Sequence, residues 1–237
     1  MKPLFKDKKN ALIILLVILT LLKVPKEGVR FLLWVLSGVL ISSAFDFSIS
    51  TILDKKSIML QSAVISGFIV AGIIDYHRSW WWLIIFTILA ILSKHAIKFH
   101  KQHIFNPANF ALFWAGVFKL ALSWNIESNI FLIILAGIYL AYSFKKISHV
   151  LSFLIFFAGL FAALHMNPFG LISWFFVFVM LIEPKTSGYG NLRGFIFGGI
   201  TAVFSFLIFR FFPGYDFFIG ALFLANLCNP LLAKIKV

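Results

Sequence analysis

Cysteine and acidic residues are scarce in this chain, and each shortage excludes a class of site. The single cysteine, Cys228, cannot form an internal disulfide or a metal cluster that needs several thiolates. Only 8 of the 237 residues are Asp or Glu, and none of these form a recognisable catalytic carboxylate pair. The sequence also has no glycine-rich nucleotide loop and no Ser-His-Asp set. Catalysis of the kind used by soluble enzymes therefore has no support.

What the sequence has in abundance is apolar residues. The hydrophobic fraction is 62% and the mean hydropathy is +1.01, whereas soluble domains average about 45–50% apolar residues. A soluble fold of this size cannot bury so much apolar surface, so we predict an integral membrane protein with the lipid bilayer as its surroundings. The net charge of +13 lies in short connections between apolar stretches. This distribution predicts orientation in a membrane and no nucleic-acid partner.

The apolar residues fall into ten segments, which predict about ten transmembrane helices in one domain spanning residues 1–237. Under this count, fifteen of the 21 Lys and Arg residues lie on the side of the N-terminus and five on the other. The positive-inside rule then predicts the cytoplasmic membrane, with both termini cytoplasmic. The spans within residues 1–54 are the least well defined. The segments are about 11–22, 29–45, 58–74, 80–93, 108–123, 130–143, 150–164, 168–182, 194–212 and 217–233.

Two stretches suggest an internal repeat. Ile65-Ser66 and Ile172-Ser173 are each followed by an apolar run and then an acid. With ten spans, two halves of five would have opposite orientations. Several segments are shorter than the roughly 20 residues of a straight span, which is typical of broken helices around a binding site. The prediction is a 5+5 inverted repeat.

The break at Asn106-Pro107 opens the fifth segment, and Asn109 lies one step inside it. Asn before Pro is also a common way to begin a helix, so this pair has a purely structural interpretation. The amide of Asn109 needs hydrogen-bond partners at that depth. These are either a neighbouring helix or a bound heterocycle.

The second break, Glu183-Pro-Lys-Thr-Ser-Gly188, follows the eighth segment. Its hydroxyls and glycine can form a loop that offers backbone N–H groups to a ligand, or the proline can simply end a helix. Asn226 and Asn229 interrupt the last segment, where polar residues indicate either function or hydrogen bonding between helices. We expect the two breaks to meet and form a polar pocket.

The basic run between the fourth and fifth segments carries three histidines. The spacing of His95, His100 and His103 does not suit metal ligation, and no Cys, Asp or Glu nearby completes a set. We therefore predict no metal site. Lipid phosphates or a soluble partner are the expected neighbours of this run.

Three stretches together resemble a family of membrane proteins. They are Gln61-Ser-Ala-Val-Ile-Ser-Gly67 with Ser93-Lys-His95 and His103-Ile-Phe-Asn-Pro-Ala108, then Ile182-Glu-Pro-Lys-Thr-Ser187, then Gly220-Ala-Leu-Phe-Leu-Ala-Asn226 with Pro230. The family is RnfD/NqrB, whose members are membrane components of the Rnf electron-transport complex and of the sodium-pumping NADH:quinone reductase. The resemblance covers residues 55–235.

The resemblance implies a urea-channel-like inverted repeat that couples flavin-dependent electron transfer to Na⁺ or H⁺ movement, alongside other electron-transport subunits. The residues that it implies at the cofactor site are Ser66, Gly67, Asn106, Pro107, Asn109, Glu183, Thr186, Ser187 and Asn226.

One departure from the family concerns how the flavin is attached. The family links FMN to a threonine in a Gly-Ala-Thr sequence, whereas the matching loop here, Ser123–Asn129, contains no threonine. We therefore predict non-covalent flavin (riboflavin or FMN) and no covalent FMN. The alternative function is a stand-alone transporter or channel for a small solute or an ion, with the same fold and no redox role.

Overall fold

The computed structural model describes residues 8–53, 60–99, 102–183, 190–232 and 234. It confirms the helical class, since the strands among these residues form only a two-residue antiparallel ladder. In chain order the elements are α1 Lys8–Ile52, α2 Gln61–Ile73, α3 Trp80–Ala96, β1 Lys98–Phe99, β2 Gln102–His103, α4 Pro107–Val117, α5 Ile130–Ser143, α6 Ile147–Ala162, α7 Pro168–Leu171, a π-helix Phe176–Met180, α8 Asn191–Phe211, α9 Phe217–Leu227 and α10 Asn229–Leu232.

Each of the ten apolar segments contains helix, but several of them differ from a simple span. The first two segments belong to one element, α1, in which only Gly28 leaves the helical region, with φ of 79°. Glycine accepts this left-handed conformation at little cost, so the chain kinks there without a loop. The eighth segment is α7 followed by the π-helix, and the last is divided between α9 and α10.

Among the described residues, one helix, Asn191–Phe211, is long and apolar enough to cross a membrane by length and composition. Five other apolar helices have 10–17 residues. The ten-span inverted repeat is therefore not supported. The two stretches that suggested it also differ locally. Ser66 lies inside α2 and donates to Ser62 O, whereas Ser173 precedes the π-helix and its Oγ accepts from Phe176 N.

The single domain predicted from the sequence corresponds to two compact units in the structure. Unit 1 is Met1–Ala96 with Phe110–Asn129, and unit 2 is Ile97–Asn109 with Ile130–Val237. The chain therefore contributes the first polar break, Ile97–Asn109, to the same unit as Glu183 and Asn226.

Small residues let the helices of unit 1 approach closely. A Cβ added to Gly67 of α2 would lie 2.7 Å from the Gly38 carbonyl oxygen of α1. One turn along, Trp34 Nε1 donates to Ala71 O at 3.1 Å. The loop 121–126 lies along the end of α2, where Ser123 N donates to Ile73 O at 2.8 Å. This backbone pairing holds the loop that follows α4 against the end of α2.

Unit 2 is built on a glycine contact and an aromatic core. Gly198 of α8 faces the backbone of His149 in α6, so no larger residue fits there. Five phenylalanines stack or meet at an angle in the interior: Phe153, Phe157, Phe161, Phe176 and Phe218.

Apolar side chains also cover the outside. In α5, residues at helical spacing point outward while Ile133, Gly137, Leu140 and Ala141 are buried, so the helix is apolar on both faces. The outward residues are Phe131 at 80% exposed, Leu135 at 71%, Ile138, Tyr139 and Tyr142. Monomeric soluble proteins rarely expose a contiguous apolar strip of this kind.

Candidate functional site: buried asparagines at three helix ends

Four buried asparagines of unit 2 lie at the ends of the three helices α4, α9 and α10, and we call them the asparagine cluster: Asn106, Asn109, Asn226 and Asn229. The first pair begins α4. Asn106 Oδ1 accepts from Asn109 N at 3.1 Å, and Pro107 occupies the first helical position, where no donor is needed. The helix-start interpretation of Asn106-Pro107 is therefore confirmed.

The Asn106 side chain also reaches the second break of the chain. Its Nδ2 lies 3.5 Å from Met180 O, at the outer limit of a hydrogen bond. Met180 ends the π-helix, and Glu183 N donates to the same carbonyl at 3.4 Å. The first break thus lies beside the start of the second. Thr186 and Ser187 lie outside the described residues, so their part in a shared pocket stays a prediction.

Asn109 is the least satisfied polar side chain of the cluster. It is 0% exposed, and neither Oδ1 nor Nδ2 has a hydrogen-bond partner among the described residues. Leaving a buried donor or acceptor unpaired costs about 1–3 kcal/mol, so native structures contain few of them. An unpaired group of this kind needs an explanation, and a bound ligand is one.

The other two asparagines connect the break in the last segment to the first break. Asn229 Nδ2 lies 3.2 Å from Asn226 Oδ1 and 3.4 Å from Ile104 O. Asn226 is also 0% exposed, and its Nδ2 has no partner within the part of the chain that the structure describes. Phe105 stacks on Phe223 with ring centroids 4.7 Å apart, which adds an aromatic contact between the same two stretches.

Ser66 and Gly67 belong to unit 1, unlike the asparagine cluster. Both are buried in α2, where Gly67 provides the close approach to α1 and the Ser66 hydroxyl bonds within its own helix. These contacts give both residues a role in helix packing. Their assignment to a cofactor site stays a prediction.

A buried cation in unit 2 was not predicted from the sequence. Lys146 precedes α6 and is only 3% exposed, although it lies in the connection between the sixth and seventh apolar segments. Burial lowers the pKa of Lys146 to about 8, and the negative charge of Glu183 opposes this shift. One turn further, the ring of His149 is fully buried against Phe197 and Gly194.

An ionic cluster in unit 1, which we call the Asp46 triad, was not predicted either. Asp46, near the end of α1, is 1% exposed, and each of its carboxylate oxygens has a partner. Lys94 Nζ lies 2.7 Å from Oδ2 and His95 Nε2 lies 2.7 Å from Oδ1. The position of Asp46 directly after the second apolar segment is the feature of the sequence that could have indicated a buried ion pair. Nothing in the sequence indicates which residues pair with it.

The described residues contain no group of three or more His, Cys, Asp or Glu side chains that could hold a metal ion. Their most distinctive chemistry is that of neutral amides, which can donate and accept hydrogen bonds in a buried setting. No protein-family model matches the chain, and no curated protein matches it.

Proposed function

We propose that this protein is the membrane subunit of an electron-transport complex and that it binds a flavin non-covalently at the asparagine cluster. The observation that carries the proposal is Asn109, whose amide is fully buried with neither atom paired among the described residues. The resemblance of the two breaks to the membrane components of the Rnf complex and the sodium-pumping NADH:quinone reductase supplies the redox part.

The surface supports insertion into a membrane. The strip on α5 keeps large apolar side chains outward, and the structure includes one helix, Asn191–Phe211, of sufficient length and hydropathy. Trp81 is 70% exposed at the start of α3, between the partly exposed Trp80 and Trp82 and close to Arg78. Tryptophan beside arginine is typical of the interface between lipid and water. Shorter helices such as α5, about 21 Å long at 1.5 Å per residue, suit a bundle that contains broken helices.

The unpaired atoms of the cluster define the class of ligand. They include two amide donors, on Asn109 and Asn226, and one acceptor, Asn109 Oδ1. A cation would pair only the acceptor, and an anion would pair only the donors. A neutral ligand whose edge carries both N–H and C=O groups pairs all three, which favours an imide or amide edge.

A flavin fits this description. Its pyrimidine ring presents an N–H between two carbonyl groups, and the Phe105–Phe223 stack provides apolar surface next to the cluster for a flat ring system. The flavin, when bound, would supply the electron-transfer chemistry, while the protein would bind and orient it. Other subunits would supply and remove the electrons, and the coupled ion would be Na⁺ or H⁺. The proposed location is the cytoplasmic membrane, with both termini on the cytoplasmic side.

An absorbance spectrum of the detergent-purified protein, made with excess riboflavin and FMN, tests the proposal. We expect a flavin band between roughly 350 and 500 nm that is released on denaturation and is weaker in Asn109→Leu. A wild-type protein with no flavin band would refute the proposal. A fluorescent band that stays with the denatured protein on a gel would refute non-covalent attachment.

A second candidate function is the transport of a small neutral amide without any flavin. The loop Ser123–Asn129 favours it, because this loop lacks the threonine that attaches flavin in the family. The Ser128 hydroxyl of the same loop already donates to Leu19 O at 2.8 Å. The same amide groups would suit a solute such as urea. Uptake of radiolabelled urea by proteoliposomes, with no flavin in the protein and loss of uptake in Asn109→Leu, would support this function over the first. Liposomes without protein give the background rate.

A further inference from the structure

An apolar groove of about 470 Å³ follows α8 in unit 2. Phe156 of α6 and Cys228 form part of its lining. Phe195 and Val203 are 39% and 40% exposed, so the groove opens to the surroundings of the protein. The rest of the lining is two rows of α8 residues at helical spacing, Phe195, Gly199 and Val203 in one row and Ile196, Ile200 and Phe204 in the other.

The lining determines which class of ligand the groove can hold. Seven of its eight residues have no polar side-chain atom, and the eighth, Cys228, has only a thiol, which is a weak hydrogen-bond donor. A polar or charged group would lose its hydrogen bonds to water there and gain few in return. A hydrocarbon chain loses no hydrogen bonds and gains van der Waals contacts with the lining. The groove therefore suits a hydrocarbon chain.

The size of the groove fits one such chain. An apolar cavity of roughly 150 Å³ holds benzene, so about 470 Å³ has room for roughly eighteen carbon atoms, the size of one phospholipid acyl chain. A helix of a second copy is about 10–12 Å across, and along the roughly 14 Å from Phe195 to Phe204 it would occupy roughly 1,000 Å³ or more. The groove is thus too small for a helix.

Positive charge gathers at one end of the groove. Arg193 lies one turn before Ile196 and on the same face of α8. The start of α6 is at this same end, since a Cβ added to Gly194 would lie 2.7 Å from Ser148 Oγ. Exposed Lys145 comes two residues before α6. Cations from two elements therefore lie where the headgroup of a lipid in the groove would be.

The acids of unit 2 among the described residues do not cancel this charge. Glu183 acts on the buried Lys146, and Asp216 caps the start of α9, whose Gly220 packs against the far half of α8. The guanidinium group of Arg193 has five N–H donors in a planar fork, so it can bind a phosphate and keep another contact as well.

We propose that this groove binds an anionic phospholipid, with one acyl chain along α8 and the headgroup phosphate at Arg193. This lipid site rests on the membrane location proposed above and not on flavin binding. The proposed orientation puts the start of α8 on the cytoplasmic side, where anionic lipids are enriched and where basic pockets between helices bind their headgroups. Any lipid can supply a chain, so the charge of the headgroup gives the site its selectivity.

The headgroup is tested by native mass spectrometry of the full-length protein, released from nanodiscs with equal amounts of phosphatidylglycerol and phosphatidylcholine of identical acyl chains. We expect one retained phosphatidylglycerol, preferred by about fivefold or more, since one arginine near a membrane surface contributes about that factor. Arg193→Gln should lower the preference about fivefold. Arg210→Gln, at the other end of the same helix, should leave it unchanged. Equal retention of both lipids by the wild-type protein would overturn the anionic site, and this result depends on no variant.

The groove is tested by Val203→Trp, which fills it from its outer edge. The matched control is Leu207→Trp, which adds the same ring one turn further along α8, at a residue that is 38% exposed and does not line the groove. We expect about tenfold weaker retention of phosphatidylglycerol in the first variant and no change in the second. Equal retention in the two folded variants would overturn the groove as the site. A quinone or a second copy of the chain retained in place of the phospholipid would show in the mass and would overturn the choice of occupant.

Failure of the lipid site and failure of the proposed function give different results. Protein that keeps phosphatidylglycerol but shows no flavin band refutes flavin binding and supports the lipid site. Protein that binds flavin but retains no phospholipid does the reverse. Protein that stays monomeric in buffer without detergent would refute the membrane location and the lipid site with it.

Discussion

The unpaired amide of Asn109 leads to a prediction about stability in the absence of ligand. Replacing Asn109 by leucine, a side chain of similar size, removes two buried polar atoms that lack partners among the described residues. The apoprotein should therefore become more stable by about 1–3 kcal/mol, since that is the cost of leaving a buried polar group unpaired. For a chain of 237 residues this corresponds to a rise in Tm of roughly 2–12 °C.

The assay is thermal unfolding of flavin-free protein in detergent, followed by tryptophan fluorescence. Thr87→Val is the matched control, because Thr87 Oγ1 is also buried with no partner in the described structure but belongs to unit 1. It should raise Tm by a smaller amount and leave flavin binding unchanged, whereas Asn109→Leu should raise Tm and weaken flavin binding. A lower Tm in Asn109→Leu would show that its amide is paired in the apoprotein and would refute the reasoning.

Three further predictions concern packing and charge. Gly198→Ala should destabilise the protein by about 1–3 kcal/mol, because the new Cβ would overlap the His149 carbonyl. Gly159→Ala, which has open space around the new Cβ, should be neutral or stabilising by up to about 1 kcal/mol. Denaturant unfolding measures the stability of both variants. Asp46→Ala should cost about 3–5 kcal/mol by leaving the buried Lys94 ammonium without its carboxylate, and a smaller loss in the same assay would contradict the Asp46 triad. The pKa of Lys146, about 8, lies below that of an unfolded lysine, near 10.4, so the unfolded state binds more protons between these two pH values. The stability of the folded protein should therefore rise with pH over this range. A Lys146→Met variant whose Tm changed with pH as steeply as that of the wild-type protein would contradict this prediction.

The helices were largely predictable from the sequence because the apolar segments are long compared with the connections. α5, for example, occupies Ile130–Ser143, the bounds of the predicted sixth segment. The start of α4 at Pro107 was also predictable, because an Asn-Pro pair has a local preference that needs no tertiary contact.

The exceptions arise where local signals conflict with packing. The bounds of the first two segments, 11–22 and 29–45, predict a connection between them, yet α1 continues through it with a kink at Gly28. The eighth segment contains a π-helix, whose extra residue per turn leaves no trace in an apolar sequence. The suggested repeat is not supported because the same Ile-Ser pair is helical in α2 and a helix start before Phe176.

The candidate site was predictable in its residues but only partly in its contacts. Asn106, Asn109 and Asn226 stood out because polar side chains are rare in apolar segments. The Asp46 triad did not, since 48 residues separate Asp46 from Lys94 and only the packing of α1 against α3 brings them together. A count of loop charges treats Lys94 and Lys146 as surface cations, whereas burial and pairing decide their chemistry.

The most direct test of the central claim is a riboflavin titration of the purified apoprotein, followed by quenching of flavin fluorescence. We predict saturable binding of one riboflavin to the wild-type protein and to Thr87→Val. For Asn109→Leu we predict affinity weaker by about tenfold or more, which corresponds to the loss of about 1.4 kcal/mol of hydrogen bonding. Equal affinity in the wild-type protein and Asn109→Leu, or no saturable binding in either, would contradict the claim that the asparagine cluster binds a flavin.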